Sequence, residues 1–251
     1  GVSFFLWVNG YNNSNDGLRV VSYQNNLKIS DIQRNLRVPK VDIFIRDAIG
    51  YNFVINNMDI LKEDNFSMHV SSRKPFGLDT SFNKNLSENI IELNNPVKCY
   101  ANNGRTGFIE KDSVSKGVES INKWKVLTTR ANNVGTELND DNVNTIISEP
   151  ESVCTETFLT VGTDLNLNRH SAKNISNYMH TKFFRFLHGL AKGSQDATAK
   201  TYVLIPMQDF TENSDIDWNK SISEIDRQLY KKYRLSRKEI NAIENKIQPM
   251  E

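Results

Sequence analysis

The sequence predicts an α+β fold, a mixed sheet and hairpin domain with a long amphipathic helix and a small C-terminal helical pair. Two strand-like runs flank Asn102-Asn103-Gly104 within residues 96–110, and an Asn-Gly pair supplies the positive φ that a tight hairpin turn needs. From Ser171 the apolar residues recur at helical spacing. Ser221-x-x-Glu224 and Ser236-x-x-Glu239 are capping boxes, each of which predicts the start of a short helix.

Residues 1–63 form the first predicted unit. The apolar run Val2–Val8 is typical of a strand buried on both faces, and we expect Leu18–Tyr23 to pair with it. Val41–Arg46 alternates as a third strand. Ala48–Leu61 predicts an amphipathic helix with Ile49, Phe53, Ile60 and Leu61 on or near one stripe. Because a strand buried on both faces needs neighbours, the opening run predicts that this chain belongs to a longer protein.

Residues 64–220 form a second predicted unit that is rich in strands and loops. Besides the hairpin, we expect a helix over residues 113–124 and strands at Lys125–Thr129 and Tyr202–Ile205. Val153–Gly162 alternates strongly enough to predict one long strand.

The longest predicted helix starts at Ser171 and ends at Gly193, a plausible C-cap. Lys182, Arg185 and His188 lie away from the centre of its apolar stripe, so the bases either line a binding cleft or keep one face soluble. The stripe itself consists of Ile175, Tyr178, Met179, Phe183, Phe186, Leu187 and Leu190.

Residues 221–251 form a predicted C-terminal tail. Its capping boxes begin helices over residues 222–233 and 237–247. The alternating charges of these helices fit docking on the preceding unit as well as loose attachment to it.

The near-neutral net charge of +1 conceals two unlike segments. Residues 131–168 hold seven acidic residues and no Lys or Arg, whereas residues 169–202 hold six bases against Asp196. Acidic side chains facing a nucleic acid would repel its phosphates. We therefore expect the acidic residues of 131–168 to point away from such a partner or to pair with the bases of the following helix.

Composition and motifs argue against several classes of protein. No apolar run is long enough to span a bilayer, and no signal peptide is recognisable, so we expect a cytoplasmic protein without a membrane partner. Cys99 and Cys154 form neither a disulfide framework nor a zinc cage. Phosphate-binding loops and HExxH or GxSxG motifs are missing from the sequence. We therefore predict no catalytic residue and no metal ligand in this chain.

Several separate strings carry a more specific signal, and they resemble, in this order, the C-terminal part of bacterial adenine-specific DNA methyltransferases of type II restriction-modification systems. This family includes enzymes that are fused to a restriction endonuclease. The resemblance covers essentially the whole chain. Its strings are Ser71–Leu78, Lys125–Arg130, Glu149–Phe158, Thr181–Leu187, Ser194–Thr198, Ile205–Phe210, Leu229–Tyr233 and Ile247–Glu251.

The resemblance implies a bacterial cytoplasmic enzyme whose catalytic domain precedes this region. That domain carries the S-adenosylmethionine loop and an Asn-Pro-Pro-Tyr-type motif, and neither is found in this chain. We therefore expect no cofactor in this fragment, S-adenosylmethionine in the full-length protein, and no methyl transfer by the fragment alone. Residues 1–63 would be the last strands and helix of the catalytic domain, where an aromatic side chain packs on the flipped base. Phe4, Phe5 and Trp7 are the candidates for this stacking, or they are structural core.

Residues 64–220 resemble the target-recognition domain, which must neutralise phosphates and present side chains to base edges of double-stranded DNA. Arg can pair bidentately with guanine and Asn with adenine, whereas Lys acts as a point charge. Each candidate has an ordinary solvated role as its alternative. The candidates for DNA contact are Arg73, Lys74, Arg105, Arg130, Asn132, Asn133, Lys182, Arg185 and Gln195.

Two functions remain open from the sequence. The first is sequence-specific recognition of double-stranded DNA for an enzyme that methylates adenine N6, with or without DNA cleavage. The second is a protein-interaction module that docks a nuclease or methyltransferase subunit. Under the second function, duplex DNA would not compete with the protein partner, and replacement of Arg73 and Lys74 by alanine would impair assembly instead.

Overall fold

The structure is a computed structural model that describes residues 4–250 apart from 7–8, 11–16, 25, 37, 39–40, 46, 58–63 and 135–141. Its described part contains five α-helices and three small β-sheets, which confirms the α+β class. The chain separates into two units, Gly1–Asn56 and Asn57–Glu251.

The first unit contains a two-stranded antiparallel sheet and one helix. Its elements are β1 (Leu18–Gln24), β2 (Leu27–Arg34) and α1 (Ala48–Asn56). The buried guanidinium of Arg34 lies over the rings of Phe44 and Tyr51, at 4.8 and 4.4 Å from their centroids. Such cation–π contacts are favourable when desolvated, so Arg34 links the end of β2 to α1 and to the segment before it.

Predictions for the first unit were wrong in two places. Leu18–Tyr23 pairs with β2, because a hairpin closed by a short turn costs little chain entropy, and none of residues 4–6 pairs with it. Residues 4–6, the described part of that run, are exposed and lie outside any strand. Residues 41–45 form no strand either. Their side chains alternate between buried and more exposed positions, but no described strand pairs with them. The predicted end of α1 at residues 58–61 lies outside the described residues.

The second unit holds two three-stranded sheets. Its strands are β3 (Pro96–Tyr100), β4 (Thr106–Glu110), β5 (Lys125–Thr129), β6 (Thr145–Ser148), β7 (Ser152–Cys154) and β8 (Phe158–Val161). In one sheet, β3 lies between antiparallel β4 and parallel β7. In the other, β5 lies between β6 and β8, both antiparallel. The predicted hairpin and the predicted strand Lys125–Thr129 are thus confirmed, and their apolar side chains share one core with Phe76 and Leu78.

The predicted long strand Val153–Gly162 is instead two short strands in different sheets. Between them, the N–H of Thr155 donates to the carbonyl of Tyr100 at 3.0 Å, and the N–H of Glu156 donates to the carbonyl of Leu78 at 2.8 Å. These bonds turn the chain away from the first sheet before β8 begins. Both strands are fully buried, and a burial pattern cannot indicate a change of sheet.

Four helices complete the second unit: α2 (Arg169–His180), α3 (Lys182–Ala191), α4 (Ile222–Lys232) and α5 (Arg237–Lys246). The single helix predicted from Ser171 is therefore two helices. Thr181 separates them because its backbone is extended and its hydroxyl accepts the N–H of Phe184 at 3.1 Å, which caps α3. Both predicted C-terminal capping boxes are present, at Ser221 and Ser236.

Two further predicted elements are turns. In place of a helix over residues 113–124, the 3₁₀ turns Lys111–Ser113 and Val118–Ser120 lie on either side of Gly117. The φ of Gly117 is 60°, which ends helical geometry, and a Cβ added there would lie 2.6 Å from the Pro75 carbonyl oxygen. The strand predicted at Tyr202–Ile205 is replaced by a 3₁₀ helix over Ala199–Tyr202 and a following turn, in which the N–H of Ile205 donates to the Tyr202 carbonyl at 3.0 Å.

The two C-terminal helices dock on α3. The carboxylate of Asp226 accepts hydrogen bonds from the N–H groups of Lys182 and Phe183, at 3.0 and 2.9 Å. Lys182 Nζ contacts Glu244 of α5 at 2.7 Å, and the rings of Phe183 and Tyr233 stack with centroids 5.0 Å apart. Of the two arrangements that the sequence left open, the structure has the docked one.

Candidate nucleic-acid interface

Three strand ends meet at one edge of the second unit. β3 and β7 run parallel and end together, where Thr155 bonds to Tyr100. β5 ends beside the same segment, where the N–H of Arg130 donates to the carbonyl of Thr157 at 2.9 Å. The turn after α3 also lies here, because the N–H of residue 197 donates to the Arg130 carbonyl at 2.7 Å.

We call the side chains that the loops place around these strand ends the edge surface. Seven of the nine residues predicted to contact DNA belong to it, although they come from four separate parts of the sequence. Its members are Arg73, Lys74, Asp79, Arg105, Arg130, Asn132, Asn133, Glu156, Lys192, Gln195 and Asp196.

Arg73 is held by Glu156. Its Nε and Nη2 atoms both donate to Oε2 of Glu156, at 2.9 and 2.6 Å. The side chain of Glu156 is only 10% exposed, whereas that of Arg73 is 59% exposed. Burial alone would raise the pKa of Glu156, but hydrogen bonds from Arg73 and from the N–H of Thr80 outweigh it and lower that pKa. A buried anion therefore orients an exposed guanidinium.

Lys74 lies in the same loop with a φ of 57°, a left-handed conformation that is uncommon for Lys. The carbonyl of Lys74 accepts the N–H of Gly77 at 3.0 Å, which closes a turn after Pro75. Its ammonium lies 3.8 Å from Glu156 and 3.9 Å from Asp79. Such conformations persist only where the surrounding structure fixes them, and they cluster at functional sites.

Arg130 forms an ion pair with Asp196, with Nη1 and Oδ2 2.8 Å apart. Next to it, the ammonium of Lys192 is buried and donates to the backbone carbonyl of Asn132 at 2.7 Å and to the Asn132 side chain. Burial lowers the pKa of Lys192 to about 8, although the nearby charge of Asp196 opposes this shift. Asn132 is therefore a buried partner of Lys192, and the prediction that it reads adenine is wrong.

Arg105, Asn133 and Gln195 remain at the surface. Arg105 is exposed beside the hairpin tip, and the Gln195 side-chain amide donates to the Asn133 side-chain carbonyl at 3.2 Å. Asn133 and Gln195 thus form a polar pair beside Arg130.

The two candidates from α3 do not join this surface. Arg185 is 1% exposed, so the prediction that it faces solvent or DNA is wrong. Its position follows from packing on more than one side of α3, because seven of the ten residues of this helix are buried, those of the predicted stripe included. Lys182 lies at the other end of α3, about 15 Å from Lys192 for a ten-residue helix, and it is paired with Glu244.

The three acidic residues of the edge surface, Asp79, Glu156 and Asp196, were not predicted. Among the described acidic residues of 131–168, Glu149 pairs with Lys98, Glu156 with Arg73 and Asp164 with His69, so pairing with bases of the following helix is not observed at these residues. In the sequence, only the charge of Glu156 between Thr155 and Thr157 indicates that the strand is interrupted there.

The aromatic candidates for base stacking belong to the first unit. Phe4 and Phe5 are 92% and 93% exposed, and Trp7 lies outside the described residues. The exposure of Phe4 and Phe5 contradicts a role as structural core within this chain.

Charge at the edge surface is moderate. It carries five basic side chains, Arg73, Lys74, Arg105, Arg130 and Lys192, against three acidic ones, a surplus of two positive charges. Phosphate neutralisation scales with the number of bases free to contact phosphate. This modest surplus favours binding through a few hydrogen bonds of fixed geometry over general electrostatic attraction to the phosphates of DNA.

Comparisons with protein-family models, with curated proteins and with solved structures found no significant match to this chain. Within the part of the chain that the structure describes, no cluster of His, Cys, Asp and Glu is placed to hold a metal ion. No helix among the same residues is both long and apolar enough to cross a membrane.

Proposed function

We propose that residues 64–220 are the target-recognition domain of a bacterial, cytoplasmic adenine-specific DNA methyltransferase of a type II restriction-modification system, of the kind that occurs with or without a fused endonuclease. In this proposal, the chain reads the sequence of double-stranded DNA through the edge surface. Methylation of adenine N6 and binding of S-adenosylmethionine belong to a catalytic domain that precedes this region.

The observation that carries the proposal is the convergence of the candidates. Arg73, Arg105, Arg130 and Gln195 are far apart in sequence, yet their loops lie at the same edge of the second unit. Sequence is read by side chains that reach base edges from a fixed position, while phosphate contacts set the register. The ion-paired Arg73 and Arg130 and the pair of Asn133 and Gln195 supply groups that can reach base edges. Exposed Arg105 and half-buried Lys74 supply phosphate contacts.

Selection from a pool of random duplexes, followed by titration of the selected duplex, tests this function. We expect selective binding whose affinity falls only about 15-fold between 50 and 200 mM salt, because about two phosphates are neutralised. The measurement is the slope of the logarithm of the association constant against the logarithm of salt concentration, for which we expect a value of about −2. Failure to enrich any sequence, with binding equal for all duplexes, would contradict recognition.

A protein-interaction module is the second candidate, and one observation favours it for the first unit. Tyr23 and Leu27 are more than 60% exposed there, in addition to Phe4 and Phe5. Exposed apolar groups of this kind often mark protein contacts. Under this alternative, a nuclease or methyltransferase subunit docks on the first unit, and its binding is insensitive to changes at the edge surface.

A further inference from the structure

The two hydrogen bonds from Arg73 to Glu156 use the donors on only one side of the guanidinium. Glu156 occupies the Nε–H and one N–H of Nη2. A guanidinium has five N–H donors in a rigid plane, so both N–H groups of Nη1 and the second N–H of Nη2 remain. No described residue accepts a hydrogen bond from these three groups. The terminal edge of the guanidinium is therefore available.

The free edge has a definite chemical partner in duplex DNA. One N–H of Nη1 and one of Nη2 point in parallel away from the Nε atom, at the end of the side chain. Guanine presents two acceptors, N7 and O6, side by side in the major groove, and a bidentate Arg pair is the commonest contact to them. Adenine presents an acceptor beside an amino donor, so it cannot accept both N–H groups.

The burial of the two side chains fixes the direction of the pair. Glu156 is bonded on its backbone to Leu78 and on its carboxylate to the N–H of Thr80 at 3.4 Å, so the anion is anchored in the loop. Arg73 is bonded to this carboxylate, and more than half of its side chain is exposed to solvent. An Arg side chain loses much rotamer entropy when it binds a base, and an anchor that holds it beforehand reduces that loss.

We propose that Arg73 specifies a guanine in the recognised sequence and that Glu156 is its positioning residue. This inference rests on the proposed function and deepens it. Arg130 is a weaker candidate for the same role, because its side chain is 26% exposed and its partner Asp196 is itself 56% exposed. Lys74 lies 3.8 Å from the Glu156 carboxylate, but its ammonium is a point charge and lacks the two parallel N–H donors of a guanidinium.

The test is duplex selection and titration with the full chain and four variants: Arg73→Lys, Arg73→Ala, Glu156→Gln and, as a control, Lys74→Ala. We expect the wild-type sites to share an invariant guanine. Arg73→Lys and Arg73→Ala should lose about tenfold or more of the discrimination at that one position and keep the preferences elsewhere. Glu156→Gln should lose part of the discrimination at that position, while the salt dependence of its affinity stays unchanged. Lys74→Ala should weaken binding of all sequences alike.

Three outcomes would overturn the inference. If Arg73→Lys keeps the guanine preference, Arg73 does not pair with guanine through a bidentate contact. If Arg73→Ala weakens binding of all duplexes equally and lowers the salt slope by about one, Arg73 contacts a phosphate and not a base. If Glu156→Gln matches the wild type in discrimination, Glu156 does not position Arg73. A wild-type chain that selects no duplex contradicts the proposed function itself, which distinguishes that failure from failure of this inference. Thermal melting of each variant checks that it is folded.

Discussion

Replacement of both Arg73 and Lys74 by alanine is expected to weaken binding of the selected duplex about 100-fold. The double variant removes a bidentate base contact, which contributes about 1–3 kcal/mol, and a cation that can contact phosphate. It also leaves Glu156 as an uncompensated anion at the edge surface, where it would repel DNA. Fluorescence anisotropy of a labelled duplex at fixed salt measures the change.

Lys231→Ala combined with Lys238→Ala is the matched control, because both lysines are exposed on the C-terminal helices and the change in net charge is the same. This control should bind within about twofold of the wild type, since charges far from the interface are screened. Equal losses in the two double variants would mean that net charge, and not the edge surface, determines affinity.

The second large effect is expected at Asp226, the carboxylate that joins α4 to the start of α3. Asp226→Ala should lower the free energy of unfolding by about 3 kcal/mol, because it leaves the N–H groups of Lys182 and Phe183 buried without their acceptor. Urea unfolding followed by tryptophan fluorescence measures it. An effect below about 0.5 kcal/mol would show that water satisfies both groups equally well.

The same carboxylate predicts a pH dependence of stability. Burial raises the pKa of Asp226 to about 6, although its hydrogen bonds to the N–H groups of Phe183 and Lys182 oppose the shift. A raised folded-state pKa means that the folded protein binds the proton more tightly than the unfolded chain does. This contribution is therefore fully present below about pH 4, the ordinary range of an Asp, and is lost as the pH rises through 6.

Asp226→Asn removes this titration and serves as the comparison. The stability of the wild type relative to Asp226→Asn should fall between pH 4 and pH 6 and become constant above about pH 7. A rise over this interval would mean that the folded state lowers the pKa of Asp226.

Local signals in the sequence predicted much of the fold. The Asn-Gly turn between β3 and β4 and the capping boxes at Ser221 and Ser236 each depend on a few neighbouring residues, and all are present in the structure. Val153–Gly162 was misread because its alternation is the same whether the strand stays in one sheet or changes sheets. The predicted helix from Ser171 was misread at Thr181, since a β-branched residue within an apolar period gives little indication of a cap.

The candidate site was predictable only in part, for a similar reason. Arg73 was predicted as a candidate because its loop contains Pro75 and Gly77, and Arg130 because it follows a predicted strand. Their partners Glu156 and Asp196 lie 83 and 66 positions further along the chain, where no local pattern links them to the arginines. Arg185 was misplaced because α3 is buried on more than its apolar stripe, and a periodic pattern does not show that other elements cover the remaining faces.

Hydrogen–deuterium exchange of the chain with and without its selected duplex tests the central claim most directly. Backbone amides within hydrogen-bonded turns exchange more slowly when a ligand stabilises them. We predict that the duplex protects peptides covering residues 71–80 and 129–133 and leaves those of α4 and α5 unchanged. Protection confined to α4, α5 or the first unit, with saturating duplex bound, would contradict an interface at the edge surface.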